Sequence, residues 1–511
     1  CLLGDNLSWA SVMFAYNSLP PDPALVGDRW RDRWMQRLEG SGLWLEKWLR
    51  HQRRDDYWKH GSVCEDFAAI RCPVYAVSGW ADGYCNAVFR LLQGLQVPRK
   101  GLVGPWAHKY PHLGVPGPAI GFLQECLRWF DHWLKGRDTG IMDEPMLRVW
   151  MQDSVPPSTR YEYRPGRWVA EPEWPSANIV NTPYALTDGF DLVPHGQYTE
   201  SGALAVQSPL FVGLYAGKWC SYNAPPDLPH DQRDEDGGSL SFDTGRLEEA
   251  VEICGQPVAE LELEVDRPVA MVAVRLIDVQ PDDKATRVSF GLLNLTHRDS
   301  DEFPQPLEPG QRYRVRVALK HIAQRFPAGN ALRLSVSTVY WPLAWPAPQP
   351  VKLTLYPGAS RLILPVRPPR PAEDRALRPF PEPEGAPPLA KTLIQPTREA
   401  WTVIRDLANN VTTLEVLNDE GTYRIDDIDL EISSRVTERY SYADEDYRSL
   451  RGWTEWVRSF RRGDWQVQTV TRTLLTSDET HFRIRATLDA YESDSRVYAR
   501  TWDSEIPRDL I

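Results

Sequence analysis

Two short apolar runs, Val74-Tyr75-Ala76-Val77 and Leu102-Val103, each lead through a glycine-bearing loop into a helical segment, and they constrain the fold more than any other feature. Strand, helix, strand, helix at these lengths implies parallel strands joined by right-handed crossovers. Parallel sheets have both faces covered, and two strands alone do not make a stable one. Residues 72–135 are therefore read as one piece of a larger α/β sheet, its other strands expected upstream. The first helical segment runs from about Tyr84 to Leu95. The second places Ile120, Leu123, Leu127, Phe130 and Leu134 on one side.

At 511 residues the chain has room for about three cores. Between Asp22 and Lys59, Trp30, Trp34 and Leu38, then Trp44, Leu45, Trp48 and Leu49, recur at helical spacing, with Gly40-Ser41-Gly42 as the turn of a helical hairpin. This tryptophan-rich stripe is either core or a lid that lines a substrate pocket. After about Met146 the pattern alternates, as in Glu260 to Val265, Val272 to Leu276 and Tyr313 to Val317. Alternation punctuated by Pro, Gly and Asp predicts an antiparallel β-sandwich or jelly roll over 146–365. The proline-rich stretch from Pro365 to Pro388 reads as an extended linker over 366–390. Beyond it, Tyr423 to Ile432 and His481 to Arg485 alternate again, so 391–511 is expected to be a second all-β unit.

Charge and composition narrow the partners. With 58 Lys and Arg against 70 Asp and Glu, the net charge of −12 offers no basic face for nucleic acid or an anionic membrane. Apolar runs fall short of the roughly 20 residues a membrane span needs. The seven cysteines, at 1, 64, 72, 85, 126, 220 and 254, include no C-x-x-C pair and suggest neither a disulfide framework nor a zinc ribbon. A reducing, cytoplasmic compartment fits that usage. The start Cys1-Leu2-Leu3-Gly4-Asp5 shows neither an initiator methionine nor a leader, so the natural start is expected upstream, where a signal peptide would be out of view. No cofactor motif is read, and oligomeric state is not legible.

Two loops carry candidate chemistry, each directly after the C-terminal end of a strand, where α/β sheets present functional groups. They are Gly79-Trp80-Ala81-Asp82-Gly83-Tyr84 and Gly104-Pro105-Trp106-Ala107-His108. An aspartate after one strand and a histidine after the next follow the order of the last two members of an α/β-hydrolase triad, Ser…Asp…His. In such a triad the histidine takes the serine proton and passes it to the leaving group, while the carboxylate fixes its tautomer. On position alone, Asp82 is equally a turn former and His108 a surface residue.

The strings themselves resemble the cocaine-esterase, cephalosporin-acylase, α-amino-acid ester hydrolase and Xaa-Pro dipeptidyl-peptidase family. There an aspartate lies in a G-W-x-D-like string and a histidine closes G-P-W-x-H. Trp129 to Gly136 and Pro145 to Trp150 are similar to the family's helix after the histidine and to the start of its jelly roll. Asp131 and His132 are adjacent and share no helix face, so they make a poor couple. The resemblance covers roughly residues 1–365. It implies a multidomain α/β plus all-β protein: a helical lid segment at 1–60, the C-terminal part of an α/β-hydrolase domain at 61–145, a jelly roll at 146–365, a linker at 366–390 and a C-terminal β domain at 391–511. It also implies Asp82 and His108 as catalytic residues, no cofactor or metal, and an ester, amide or short-peptide substrate.

The family's nucleophile sits in a G-x-S-x-G-like elbow, and no serine here has glycine at both −2 and +2. The expectation is that the nucleophile and oxyanion hole lie upstream and that this chain alone is inactive. Two other readings compete. One is a carbohydrate- or protein-binding β-sandwich protein without catalysis. The other is a metal-dependent hydrolase suggested by His108 and His112, against which stand Pro111, Gly114 and the absence of H-E-x-x-H.

Overall fold

Val74–Gly79 (β1) and Arg99–Gly104 (β2) pair in parallel, from Val74 opposite Arg99 to Gly79 opposite Gly104, in a computed structural model that describes residues 3–197, 202–222 and 226–511. The polypeptide divides into two compact units interleaved in sequence: residues 55–340 with 351–386, and residues 1–54 with 341–350 and 387–511.

In the first unit, the crossover from β1 to β2 is the helix Cys85–Gly94 (α1), which buries Cys85, Val88, Phe89 and Leu92 along one face. The helix lies so close to β2 that a Cβ on Gly101 would meet Leu92 Cδ1 at 2.7 Å. The third parallel strand comes from downstream: Leu147–Gln152 (β3) pairs with β2, Gly101 opposite Leu147. The same β3 pairs antiparallel with Gly166–Glu171, so the parallel patch continues into a 13-stranded mixed sheet. From β3 the sheet runs through Ile322–Phe326, Val251–Gly255, Arg361–Val366 and Val258–Val265, and β1 stands at its edge. A separate four-stranded antiparallel sheet has Met271–Val279 inside it, buried at every position.

Helix α2, Phe122–Lys135, ends at Gly136, whose φ of 64° supplies the left-handed C-cap. The apolar side of this helix is exposed: Leu127 is 57% and Leu134 77% accessible, with Leu123 and Phe130 alongside them. Glu125 and Trp129 are the buried residues, with the Trp129 ring 5.3 Å from Tyr75 of β1. No helix of the described residues is long and apolar enough to cross a membrane.

The proline-rich stretch is anchored and is not extended throughout. Arg367 is fully buried between Glu171 Oε1, at 2.7 Å, and Asp374, which sits on a helical turn at Pro371–Arg375. Phe380 packs under Arg148, and the Pro381 carbonyl accepts the Gly121 amide. The ion pair and stacking override the preference of prolines for a solvated helix.

In the second unit, eight antiparallel strands form a meander from Lys391–Gln395 to Ser495–Pro507. The helices Leu3–Asn17, Trp30–Glu39 and Trp44–Leu49 belong with it. Phe14, Trp34 and Leu38 share a core with Val467, Ala486, Leu488 and Ala490 of the strands, and Trp34 Nε1 donates to the Ser18 carbonyl. Trp34, Leu38, Leu45 and Leu49 of the tryptophan-rich stripe are thus core.

Removing Arg367 leaves Glu171 charged and buried. Arg367→Met is expected to lower unfolding stability by about 3–5 kcal/mol in urea denaturation. Arg361→Ala, which removes a partly exposed partner of Glu260, should cost less than about 1 kcal/mol.

Candidate active site

The Asp82 loop begins where β1 ends, and its path is fixed by the backbone of the neighbouring loop. The Trp80 amide donates to the Gly104 carbonyl and the Ala81 amide to the Trp106 carbonyl. At Gly79 a Cβ would lie 1.9 Å from the Trp106 carbonyl oxygen, so only glycine lets the two loops approach this closely. Trp80 is buried and its indole donates to the Trp150 carbonyl at 2.7 Å, tying the turn to β3.

The His108 loop is held as firmly. Trp106 is fully buried and donates from Nε1 to the Pro118 carbonyl. The Ala107 amide donates to Val115, and the His108 amide to the Ser221 carbonyl at 2.7 Å.

These constraints bring the two predicted residues together. His108 Nδ1 lies 3.1 Å from Asp82 Oδ2. Asp82 is buried and acceptor-rich: Oδ2 also faces Ser78 Oγ at 3.3 Å, while Oδ1 accepts from the Tyr84 amide at 2.9 Å and the Cys220 thiol at 3.6 Å. With a carboxylate on Nδ1, that nitrogen carries the proton and Nε2 is left as the basic edge. The His108 side chain is 43% exposed and stands between the rings of Tyr84 and Tyr222, 5.7 and 5.1 Å away. Lys320 Nζ donates to the Asp82 carbonyl at 2.9 Å, fixing the loop from beneath.

Sequence reasoning did not find Ser78, Cys220, Ser221 or Lys320 as parts of this arrangement. Cys220 and Lys320 lie 138 and 238 positions from Asp82, and no local motif marks them. Asp82, His108 and Cys220 form a group with metal-ligand chemistry, their ligand atoms within 4.8 Å of one another. His112 is outside that group; its ring stacks on Phe122. Asp131, set aside as a catalytic partner, is occupied by Lys135 and Arg137.

The geometry is that of an α/β fold presenting an Asp–His couple at the ends of adjacent parallel strands. Residues 2–110 match the X-Pro dipeptidyl-peptidase (S15 family) and residues 139–375 match the X-Pro dipeptidyl-peptidase C-terminal non-catalytic domain. The chain is 25% identical over 346 residues to a putative serine esterase of Mycobacterium tuberculosis, covering 62% of this chain and 52% of the relative. It is 22% identical over 321 residues to the cocaine esterase of a Rhodococcus species, covering 58% and 54%. In fold it is similar to an aminopeptidase from a Thaumarchaeota archaeon, with a TM-score of 0.52, 16% identity and coverage of 63% and 60%. The chain belongs to the family of the S15 X-Pro dipeptidyl-peptidases and cocaine esterase. It spans about half the length of the curated relatives it matches.

The seat of His108 has its own pH dependence. Asp227 is buried, and burial pushes its carboxyl up to about 7 although Ser221 Oγ donates to it at 2.7 Å. The folded state therefore holds this proton more tightly than the unfolded chain. Stability from Asp227 is full below about pH 4 and declines as pH rises to about 7, by up to about 4 kcal/mol. Thermal denaturation between pH 4 and 8 should show that decline, and Asp227→Asn should flatten it.

Proposed function

We propose that this chain supplies the histidine and aspartate of a serine hydrolase that cleaves an ester or amide bond, Xaa-Pro peptides included, through an acyl-serine intermediate whose serine lies outside these 511 residues. The observation that carries the reading is the 3.1 Å contact between His108 Nδ1 and Asp82 Oδ2 at the ends of β1 and β2. The family, together with relatives named as serine esterase, cocaine esterase and putative Xaa-Pro dipeptidyl-peptidase, supports it. So do the edge of β1, which no strand of the described residues pairs, and the bare apolar side of α2, which are surfaces further strands and helices of a complete sheet would cover.

On this reading His108 Nε2 takes the proton of the serine hydroxyl as its oxygen attacks the substrate carbonyl carbon. The imidazolium then protonates the departing alcohol or amine, leaving the acyl-serine. In the second half His108 deprotonates water, which attacks the ester, and returns the proton to serine. Asp82 orients the ring, held by the Tyr84 amide and the Cys220 thiol so that it cannot turn away from Nδ1. Residues 61–145 then form the C-terminal part of the hydrolase domain and 146–365 its jelly roll. The chain by itself does not turn over.

A fluorophosphonate probe is expected to label a full-length enzyme at a serine outside residues 1–511 and to leave this chain unlabelled. In that enzyme Asp82→Asn should lower kcat by about 10⁴-fold, and His108→Ala at least as much. Labelling of a serine within 1–511 would contradict the assignment.

A further inference from the structure

The eight-stranded sheet of the second unit has one open edge. Arg398–Asp406 (β4) pairs on one side with Val411–Ile425, from Asp406 opposite Val411 to Arg398 opposite Asp419, and no strand of the described residues pairs with its other side. At the far end of the sheet, Ser495–Pro507 is anchored to a helix: Tyr498 and Arg500 donate to the carbonyls of Leu38 and Glu39. Sheet edges are commonly guarded by proline, lysine, a bulge or shortness. β4 has nine residues, neither proline nor lysine, and a ladder to Val411–Ile425 without a register shift. Val403 is 39% and Ile404 52% exposed, and as neighbours in a strand they leave apolar side chains open on both of its faces.

The order of residues along β4 is complementary to itself. Run antiparallel against a second copy about a two-fold axis at Thr402, Arg398 falls opposite Asp406, Glu399 opposite Arg405, Ala400 opposite Ile404 and Trp401 opposite Val403. Symmetry makes each pair twice, so ion pairs stand at both ends of an apolar middle. Arg398, Glu399, Arg405 and Asp406 are all exposed. Asp406 also caps the loop after the strand, accepting from the Ala408 and Asn409 amides and from the Asn409 side chain, which fixes the carboxylate at the strand end. A two-fold perpendicular to the sheet sets only residues of one face opposite each other, so the register changes by moving the axis from residue to residue. With the axis at Trp401, Arg398 meets Ile404 and Glu399 meets Val403; with it at Val403, Arg405 meets Trp401 and Asp406 meets Ala400. Either step loses every ion pair.

We propose that β4 pairs with β4 of a second copy of this chain, antiparallel about Thr402, and joins two eight-stranded sheets into one. The backbone N–H and C=O groups of the open edge supply the attraction common to all strand additions. The apolar pairs add cross-strand packing, and the charged ends fix the register and select a second copy over a strand of other sequence. The pairing is independent of the hydrolase reading, since none of its residues belongs to the candidate active site.

Sedimentation velocity of the 511-residue chain over a range of micromolar concentrations is expected to show a monomer–dimer equilibrium. Arg405→Glu sets carboxylates opposite each other at both symmetric contacts and should weaken the dimer at least ~10-fold, with an unchanged circular dichroism spectrum. Glu399→Arg should do the same with opposed guanidinium groups. Combining Glu399→Arg with Arg405→Glu restores opposite charges and should return the dimer to within ~3-fold of its original strength. Should a variant fail to fold, hydrogen exchange of the unaltered chain still decides: amides within 398–406 should exchange more slowly in the dimer than after dilution to monomer. A chain monomeric throughout, a dimer indifferent to Arg405→Glu, a combined variant as weak as the single ones, or exchange at 398–406 that ignores concentration would each overturn the proposal.

Discussion

The candidate site depends on a backbone crossing. At Gly79 the loop leaving β1 passes against the Trp106 carbonyl of the loop leaving β2, with no room for a side chain. The Ala81 amide then uses that same carbonyl as its acceptor. Two loops 26 residues apart in sequence are thereby locked in register, and the Asp82 to His108 contact follows from it. The surrounding residues serve this register. Trp80 fastens the first loop to β3, Trp106 fills the space under the second, and Lys320 closes the Asp82 carbonyl.

The parts of this arrangement that local chemistry dictates were legible in the sequence. Val74 to Val77 and Leu102-Val103 read as strands because short apolar runs bounded by glycine suit a buried parallel sheet, and the Asp and His after them read as a couple because their strings resemble a known family, strand-end position alone leaving them open. What arrives from far along the chain was not legible. β3 pairs with β2 from 147–152, Cys220 approaches Asp82 on a loop, and Lys320 lies just before the strand Ile322–Phe326. None of these carries a pattern that announces its partner.

Two helices show the limits of periodicity. The helix Leu3–Asn17 was not singled out within the helical segment expected at 1–60, because its apolar residues are spread around it: Leu7, Ala10 and Phe14 are buried while Trp9 and Tyr16 are exposed. Its place is set by tertiary contacts, including Ser8 Oγ donating to the buried Glu438, which also accepts from the Tyr440 hydroxyl. In α2 the stripe Leu123, Leu127, Phe130 and Leu134 was read correctly as one face, yet that face is bare. Periodicity reports which residues share a side, and only the packing partner decides whether the side is buried. The proline-rich segment makes a similar point, since composition predicts an extended linker and the buried Arg367 pins it in place.

The arrangement around His108 predicts one tautomer. Asp82, held by the Tyr84 amide and the Cys220 thiol, keeps the imidazole proton on Nδ1 and leaves Nε2 free to accept. The most direct test is the ¹⁵N and ¹H NMR spectrum of the His108 ring in this chain at a pH where the ring is neutral. The account predicts a protonated Nδ1 with a downfield-shifted proton, an unprotonated Nε2, and loss of that downfield signal in Asp82→Asn. A ring protonated on Nε2, with a spectrum unchanged by Asp82→Asn, would contradict it.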